Sequence, residues 1–335
     1  MSDDRQDALE RFRQNGYYDE KIDVVLHESN PVTPIVLEPT SAIIVIGYLP
    51  YHSTRFSINL TCRSTGNVAL HLNPRLDRGY IVRNSKVKGS WAEEETCSPE
   101  ISAADLFLRN SYFHLVIFCT SQEFYIMVNG HHFCTFSYRL PLDSITNLEY
   151  AGDVEGVRIR KTALWIYPDP KLIKLSQNLK LSDKQSLIDN LNIPSTISIS
   201  QELHHGARIF IKGRLKLLPH SFHINLQKSS LLYPHPEIAL HLNPRFQYGI
   251  RSACVVMNCW TEGAWGREER HNGYLCWAPG REFLLTIQCG NDSYIIWLEN
   301  KIIGEFKHRV KFSEVDTLLI TGDVVVYEVA LSFGE

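Results

Sequence analysis

The chain has 335 residues, 44% of them hydrophobic, and a formal net charge of −3. That length suggests about two domains of roughly 150 residues each. The near-neutral charge argues against nucleic acid or an anionic membrane as the main partner, and no run approaches the roughly 18 apolar residues of a membrane span, so no membrane insertion is expected.

The opening MSDDRQDALERFRQ is charged and lacks an apolar core, so no secretory signal is expected. Residues 3–15 read as a short helix with Leu9 and Phe12 on one face and Gly16 as its stop. Such a helix is too short to be stable alone. From about residue 34 the chain becomes a series of short β-rich runs, among them SAIIVIGYL, RFSINLTC, YFHLVIFC and EFYIMVNG. Turn signals such as Asn129-Gly130 separate them, and the pattern reads as an antiparallel sandwich. Residues 168–194 are bracketed by prolines. Ser182 and Gln185 fit a capping box before Leu187, Ile188 and Leu191, which predicts a short helix packed partly on one domain.

The order of the first half recurs from residue 195. ALHLNPR occurs at 69–75 and again at 239–245, GDV at 152–154 and 322–324, and Tyr138-Arg139 answers to His308-Arg309. A period of about 170 residues is a domain duplication rather than a solenoid. The expected organisation is an extension at 1–33, domains at 34–167 and 195–335, and a linker at 168–194.

Alternation in a strand places His241, Asn243 and Arg245 on one face, with Leu242, Pro244 and Phe246 on the other. Asn258, Trp265, Glu268 and Arg270 follow. These groups donate to and accept from hydroxyls, and the indole is a flat apolar plate. The set suits a neutral, hydroxyl-rich ligand. The first copy supplies His71, Asn73, Arg75, Asn84, Trp91 and Glu94, with Thr96 where the second has Arg270. Trp to Glu is an odd step of three, so a bulge or turn must intervene. Arg83 has core parity, for which an edge location or a bulge is the available account. The eight cysteines show no CxxC or zinc spacing and are expected as free thiols. His131-His132 and His204-His205 are expected as ordinary surface or turn residues. No metal or cofactor is expected.

With these motifs the chain resembles a tandem-repeat galectin, a soluble β-galactoside-binding lectin with two carbohydrate-recognition domains. The resemblance covers roughly 34–167 and 195–335. It implies an all-β chain of two jelly-roll-like antiparallel β-sandwiches, with short helical segments at the N-terminus and linker. It also implies a cytoplasmic protein exported without a signal peptide, whose partners are galactose-bearing glycans on glycoproteins or glycolipids. Carried over by residue, His241, Asn243 and Arg245 bind the axial O4 of galactose, and Asn258 and Glu268 hold O6. Trp265 stacks on the apolar sugar face. Glu268 and Arg270 reach the second sugar, with Glu268 orienting two arginines. Thr96 lacks the fork of an arginine, so the first domain is expected to hold the second sugar less well, with Glu94 and Arg75 less firmly fixed. A glycoside hydrolase would need two carboxylates flanking the sugar; the second copy offers Glu268, expected to be tied by arginine, with Glu269 pointing elsewhere. A scaffold acting through protein contacts is the alternative.

Overall fold

In the computed structural model the described residues are 2–14, 31–96, 106–167, 179–181, 188–191, 193–199, 203–217, 219–246, 253–273 and 277–332. The chain divides into two compact units, Met1–Leu175 and Ser176–Glu335.

The first unit opens with α1 (Ser2–Gln14). Its strands are β1 (Val32–Pro34), β2 (Ser41–Leu49), β3 (Phe56–Cys62), β4 (Asn67–Arg75), β5 (Tyr80–Val87), β6 (Ser90–Trp91), β7 (Glu95–Thr96), β8 (Ser111–Cys119), β9 (Glu123–Val128), β10 (His131–Ser137), β11 (Asn147–Gly152) and β12 (Glu155–Ala163). One antiparallel sheet runs β1-β11-β3-β4-β5-β6, with β7 also on β5; the other runs β10-β9-β8-β2-β12. Alternation builds the sandwich: Phe56, Ile58 and Leu60 meet Phe113, Leu115 and Ile117 in one core. The opposite face of β3 and β4 carries Asn59, His71 and Asn73.

The outer face of the second sheet is also buried, with Ile44, Val116 and Phe118 at 1% exposure or less. Helix α1 lies on part of it. Ala8 and Phe12 are buried, and Phe12 packs on Tyr112 with ring centroids 5.8 Å apart. Arg5 Nε donates to the Tyr112 hydroxyl at 3.2 Å, and the guanidinium sits 5.2 Å from the Tyr48 ring. Gly156, at φ +56°, leaves the space Arg5 fills. The buried face is thus Ala8 and Phe12, with Leu9 only half-buried. Because so short a helix is marginal in water, Phe12→Ala is expected to undock it. Hydrogen exchange at residues 2–14 should then rise toward unprotected rates; unchanged protection would mean the helix is held by other contacts.

The second unit has β13 (Leu179–Leu181), β14 (Ile188–Leu191), β15 (Ser195–Ile199), β16 (Arg208–Leu215), β17 (Phe222–Gln227), β18 (Ile238–Phe246), β19 (Ala253–Thr261), β20 (Ala264–Trp265), β21 (Glu269–Gly273), β22 (Glu282–Cys289), β23 (Ser293–Leu298), β24 (Lys301–Lys307), β25 (Thr317–Gly322) and β26 (Val324–Ser332). Its sheets run β13-β15-β25-β17-β18-β19-β20, with β21 on β19, and β14-β26-β16-β22-β23-β24. Among the described residues its pairings are antiparallel except that of β13 with β15, which is parallel. Of the helix expected in the linker, 182–187 lie outside the described residues, and Ile188–Leu191 is a strand on β26 instead. The strand covers the edge of β26 that would otherwise leave backbone groups unpaired, and Leu191 and Ile193 are buried in the second core. No described helix is long and apolar enough to cross a membrane.

The repeated GDV has a structural purpose. Asp153 Oδ2 accepts from the Thr54 amide at 2.8 Å and Asp323 Oδ2 from the His220 amide at 2.8 Å, fixing the chain just before β3 and β17. Gly152 and Gly322 have φ of +95° and +105° and lie against backbone where a Cβ would clash. Cys62, Cys119, Cys134, Cys254, Cys259 and Cys289 are free thiols. His132, expected at the surface, is instead buried, with Nδ1 2.8 Å from the Tyr167 hydroxyl. Its place on the covered outer face of the sheet removes it from water. His204 and His205 are exposed as expected.

Candidate functional site

Each half carries the same constellation on the outer face of its larger sheet. Register places His241 opposite Asn258, Arg245 opposite Cys254, Val256 opposite Arg270 and Trp260 opposite Trp265. The first half pairs His71 with Asn84, Arg75 with Tyr80, Val82 with Thr96 and Lys86 with Trp91. The odd step from Trp to Glu is a break in the edge strand, between β6 and β7 and again between β20 and β21, where Glu94 and Glu268 lie.

The NPR triplet has a local explanation. The register of β17 with β18 brings Pro244 opposite Phe222, and proline has no N–H to offer the ladder. Asn243 Nδ2 donates to the Phe222 carbonyl instead, at 2.7 Å, and its Oδ1 accepts from Arg245 Nε at 2.7 Å. The first half repeats this, with Asn73 Nδ2 to Phe56 O at 2.5 Å and Arg75 Nε to Asn73 Oδ1 at 3.0 Å. Asparagine therefore closes the sheet and aims the arginine at once.

The histidine tautomer follows from a residue the sequence reading missed. His241 Nδ1 lies 2.7 Å from Asn225 Oδ1, and Asn225 Nδ2 donates to Gln227 Oε1 at 3.3 Å. Gln227 in turn donates to Ser229 O and Leu231 O, which fixes each amide's direction. His241 therefore donates from Nδ1 and keeps Nε2 as an acceptor. Burial, with His223 and Arg245 nearby, holds His241 well below the usual histidine range. Burial and Arg75 lower His71 in the same way, and its Nδ1 meets Asn59 Oδ1 at 2.5 Å. Both imidazoles are neutral acceptors at neutral pH. The Asn of INL in both repeats was the signal for this.

Trp265 and Trp91 stand 5.0 and 4.9 Å from their histidine rings. Beyond that the halves differ. Trp265 is half-buried against Trp260 at 5.3 Å and His235 at 5.9 Å. Trp91 is 53% exposed, with the Lys86 ammonium 5.9 Å from its ring.

Arg139 and Arg309 match between the repeats, but no role for them was legible from the sequence. Arg309 Nη1 donates to Arg267 O at 2.6 Å, and Nη2 pairs with Glu269. Arg139 donates to Glu93 O at 2.8 Å, to Glu95 Oε1 at 2.8 Å and to Asn84 Oδ1 at 3.2 Å. In both halves an arginine following the opposite sheet's edge strand braces the loop that carries Glu94 or Glu268.

Two expectations need correction. Among the described residues Glu268 pairs with Arg270 and not with Arg245, so it does not orient two arginines. Arg75 is not loosely held: Nη1 donates to the Tyr80 hydroxyl at 2.8 Å, and Nη2 lies 3.6 Å from Glu94. Arg83 now has an account. It is 5% exposed, points inward over Phe133, and pairs with Glu95 at 3.7 Å, where the second half has the core residue Met257.

A family model described as Galactoside-binding lectin matches residues 30–159 and 194–331. Galectin-4 of Bos taurus is 30% identical over 322 residues, covering 89% of this chain and 92% of its own. Galectin-4 of Homo sapiens is 30% identical over 85% of this chain and 89% of its own. A 32 kDa beta-galactoside-binding lectin of Caenorhabditis elegans is 28% identical over 86% and 90%. With the family model matched in each half of a duplicated sandwich, the chain belongs to the galactoside-binding lectins, the galectins, and carries two such domains in tandem.

Proposed function

We propose that each domain binds a β-galactoside on the outer face of its larger sheet, and that two sites on one chain crosslink glycoconjugates. The observation that carries this reading is the repeated geometry: a neutral histidine acceptor, an asparagine-aimed arginine and an indole 5.0 or 4.9 Å from the histidine. In this reading His241, Asn243 and Arg245 take galactose O4, Asn258 and Glu268 take O6, and Trp265 stacks on the ring. Glu268 and Arg270 reach the second sugar. His71, Asn73, Arg75, Asn84, Trp91 and Glu94 act likewise in the first domain. We place the domains at 34–167 and 195–335.

Binding fits better than catalysis. Glu268 is tied to Arg270 and Glu94 lies beside Arg75, so neither is arranged as one of two carboxylates across a bond. Glycans on glycoproteins or glycolipids are the partners this implies. In this reading the protein is made in the cytoplasm and reaches them by export to the extracellular space.

The domains are not equivalent in this reading. Thr96 and Arg270 occupy the same register position, and threonine has one short hydroxyl. A hydrogen bond to a charged group contributes about 1.5–3 kcal/mol. The second domain should therefore bind lactose about ten-fold or more tightly than the first. Lactose titration of the chain with one or the other tryptophan replaced by alanine measures each domain. Equal affinities, with no gain from Thr96→Arg, would exclude Thr96 as the cause. Crosslinking has its own test. Agglutination of galactose-bearing cells should require both sites and be competed by lactose; lactose-insensitive association would favour a protein scaffold.

A further inference from the structure

The first domain differs beside Arg75 by a residue outside the shared constellation. The turn Leu76–Gly79 is closed by amide donation from Arg78 and Gly79 to Arg75 O, at 3.1 and 2.9 Å. It delivers Tyr80 as the cross-strand partner of Arg75, whereas Cys254 is the partner of Arg245. The Tyr80 hydroxyl accepts from Arg75 Nη1 at 2.8 Å, and its half-buried ring lies 5.3 Å from the guanidinium carbon. With Nε on Asn73 and Nη2 beside Glu94, each nitrogen of Arg75 is engaged. Among the described residues Arg245 has only Asn243. The two rims thus offer different chemistry. The second presents the Arg270 fork on Glu268, suited to hydroxyls. The first presents a short threonine and an aromatic ring.

We infer that Tyr80 determines what the first domain accepts beyond galactose, favouring β-galactosides whose aglycone has a flat apolar face. The inference rests on the galactoside reading above. The hydroxyl fixes Arg75 on the rim where Thr96 stands in place of an arginine, and the ring supplies a stacking surface. Aromatic contacts of this kind change affinity by roughly 2- to 12-fold.

The experiment uses the full chain with Trp265→Ala, so that only the first domain reports. Galactose, lactose and 4-nitrophenyl β-galactoside are titrated against it. The aryl galactoside is expected to bind better than lactose by roughly that factor. Tyr80→Cys should erase the aryl preference. Tyr80→Phe should keep it while weakening all three ligands about three- to ten-fold, because Arg75 loses its hydrogen bond. The reciprocal Cys254→Tyr, in a chain with Trp91→Ala, should raise the aryl-to-lactose ratio of the second domain. That arm keeps the test decisive if Tyr80 variants fold poorly. An aryl-to-lactose ratio unmoved by Tyr80→Cys in a folded chain, or by Cys254→Tyr, overturns the inference and leaves galactoside binding standing. If the Trp265→Ala chain with Tyr80 intact binds none of the three sugars, the first-domain reading itself fails and the inference falls with it.

Discussion

Replacing Trp265 with alanine is expected to remove most lactose binding by the second domain. The indole is a large apolar surface beside hydrogen-bonding groups, and its geometry is set before a ligand arrives. His241 packs at 5.0 Å on one side, with Trp260 and His235 at 5.3 and 5.9 Å beyond. A preorganised plate spends no side-chain entropy on binding. Stacking a flat ligand face on an aromatic ring contributes about 1–3 kcal/mol by analogy with nucleobases. Its loss is a roughly 5- to 140-fold drop in affinity. Lactose affinity is itself expected between about millimolar and micromolar, so such a drop takes binding close to undetectable. Calorimetric titration of the chain carrying Trp91→Ala isolates this domain. Undiminished lactose affinity in a folded Trp265→Ala, Trp91→Ala chain would show that the sugar does not sit on this face.

Glu95→Ala should be the most destabilising single change near the first site. Side-chain exposure is 15% for Glu95 and 6% for Arg83, so solvent screens their pairing little. Arg139 shares the same carboxylate at 2.8 Å. Removing the shared anion takes the Glu95 charge from a buried guanidinium, and breaking a buried pair in this way costs about 3–5 kcal/mol. Arg83→Met removes the other partner but copies the second domain, where Met257 fills this core position and Glu269 still pairs with Arg309. Removing one partner of a buried pair is costly when the other charge is left alone, but here Glu95 keeps Arg139 at 2.8 Å, so the apolar replacement should cost little. The two variants should therefore move the first domain's unfolding transition by very different amounts. Urea denaturation followed by a probe in that domain measures it. A Glu95→Ala cost below about 1 kcal/mol would show that the cluster is effectively solvated, and an Arg83→Met cost larger than that of Glu95→Ala would show that an apolar side chain cannot replace Arg83.

The grouping of the candidate site residues on one face was open to reading in the chain because strand periodicity is local. A step of two keeps His241, Asn243 and Arg245 on one face whatever they pair with. The duplication did the rest, since Asn84, Trp91 and Glu94 keep the spacing of Asn258, Trp265 and Glu268. What each side chain touches was not open in that way. Asn225 aligns His241 from a neighbouring strand 16 residues away, and Arg309 reaches the Glu268 loop from 42 residues away. Whether Glu268 would hold one arginine or two depended on side-chain reach, not on spacing.

By itself the sequence determined two antiparallel sandwiches, the strand faces and the set of polar groups that share one face. The tertiary structure decided the neighbours. A four-residue turn put Tyr80 against Arg75. Pairing of β5 with β7 turned the core parity of Arg83 into a buried ion pair with Glu95. The open edge of β26 made a strand of Ile188–Leu191, and the outer sheet face gave the N-terminal helix a seat. The physical reason is one of range. Which way a side chain points is set by its own backbone, whereas its partner is set by register, turn length and the packing of segments far apart in the chain.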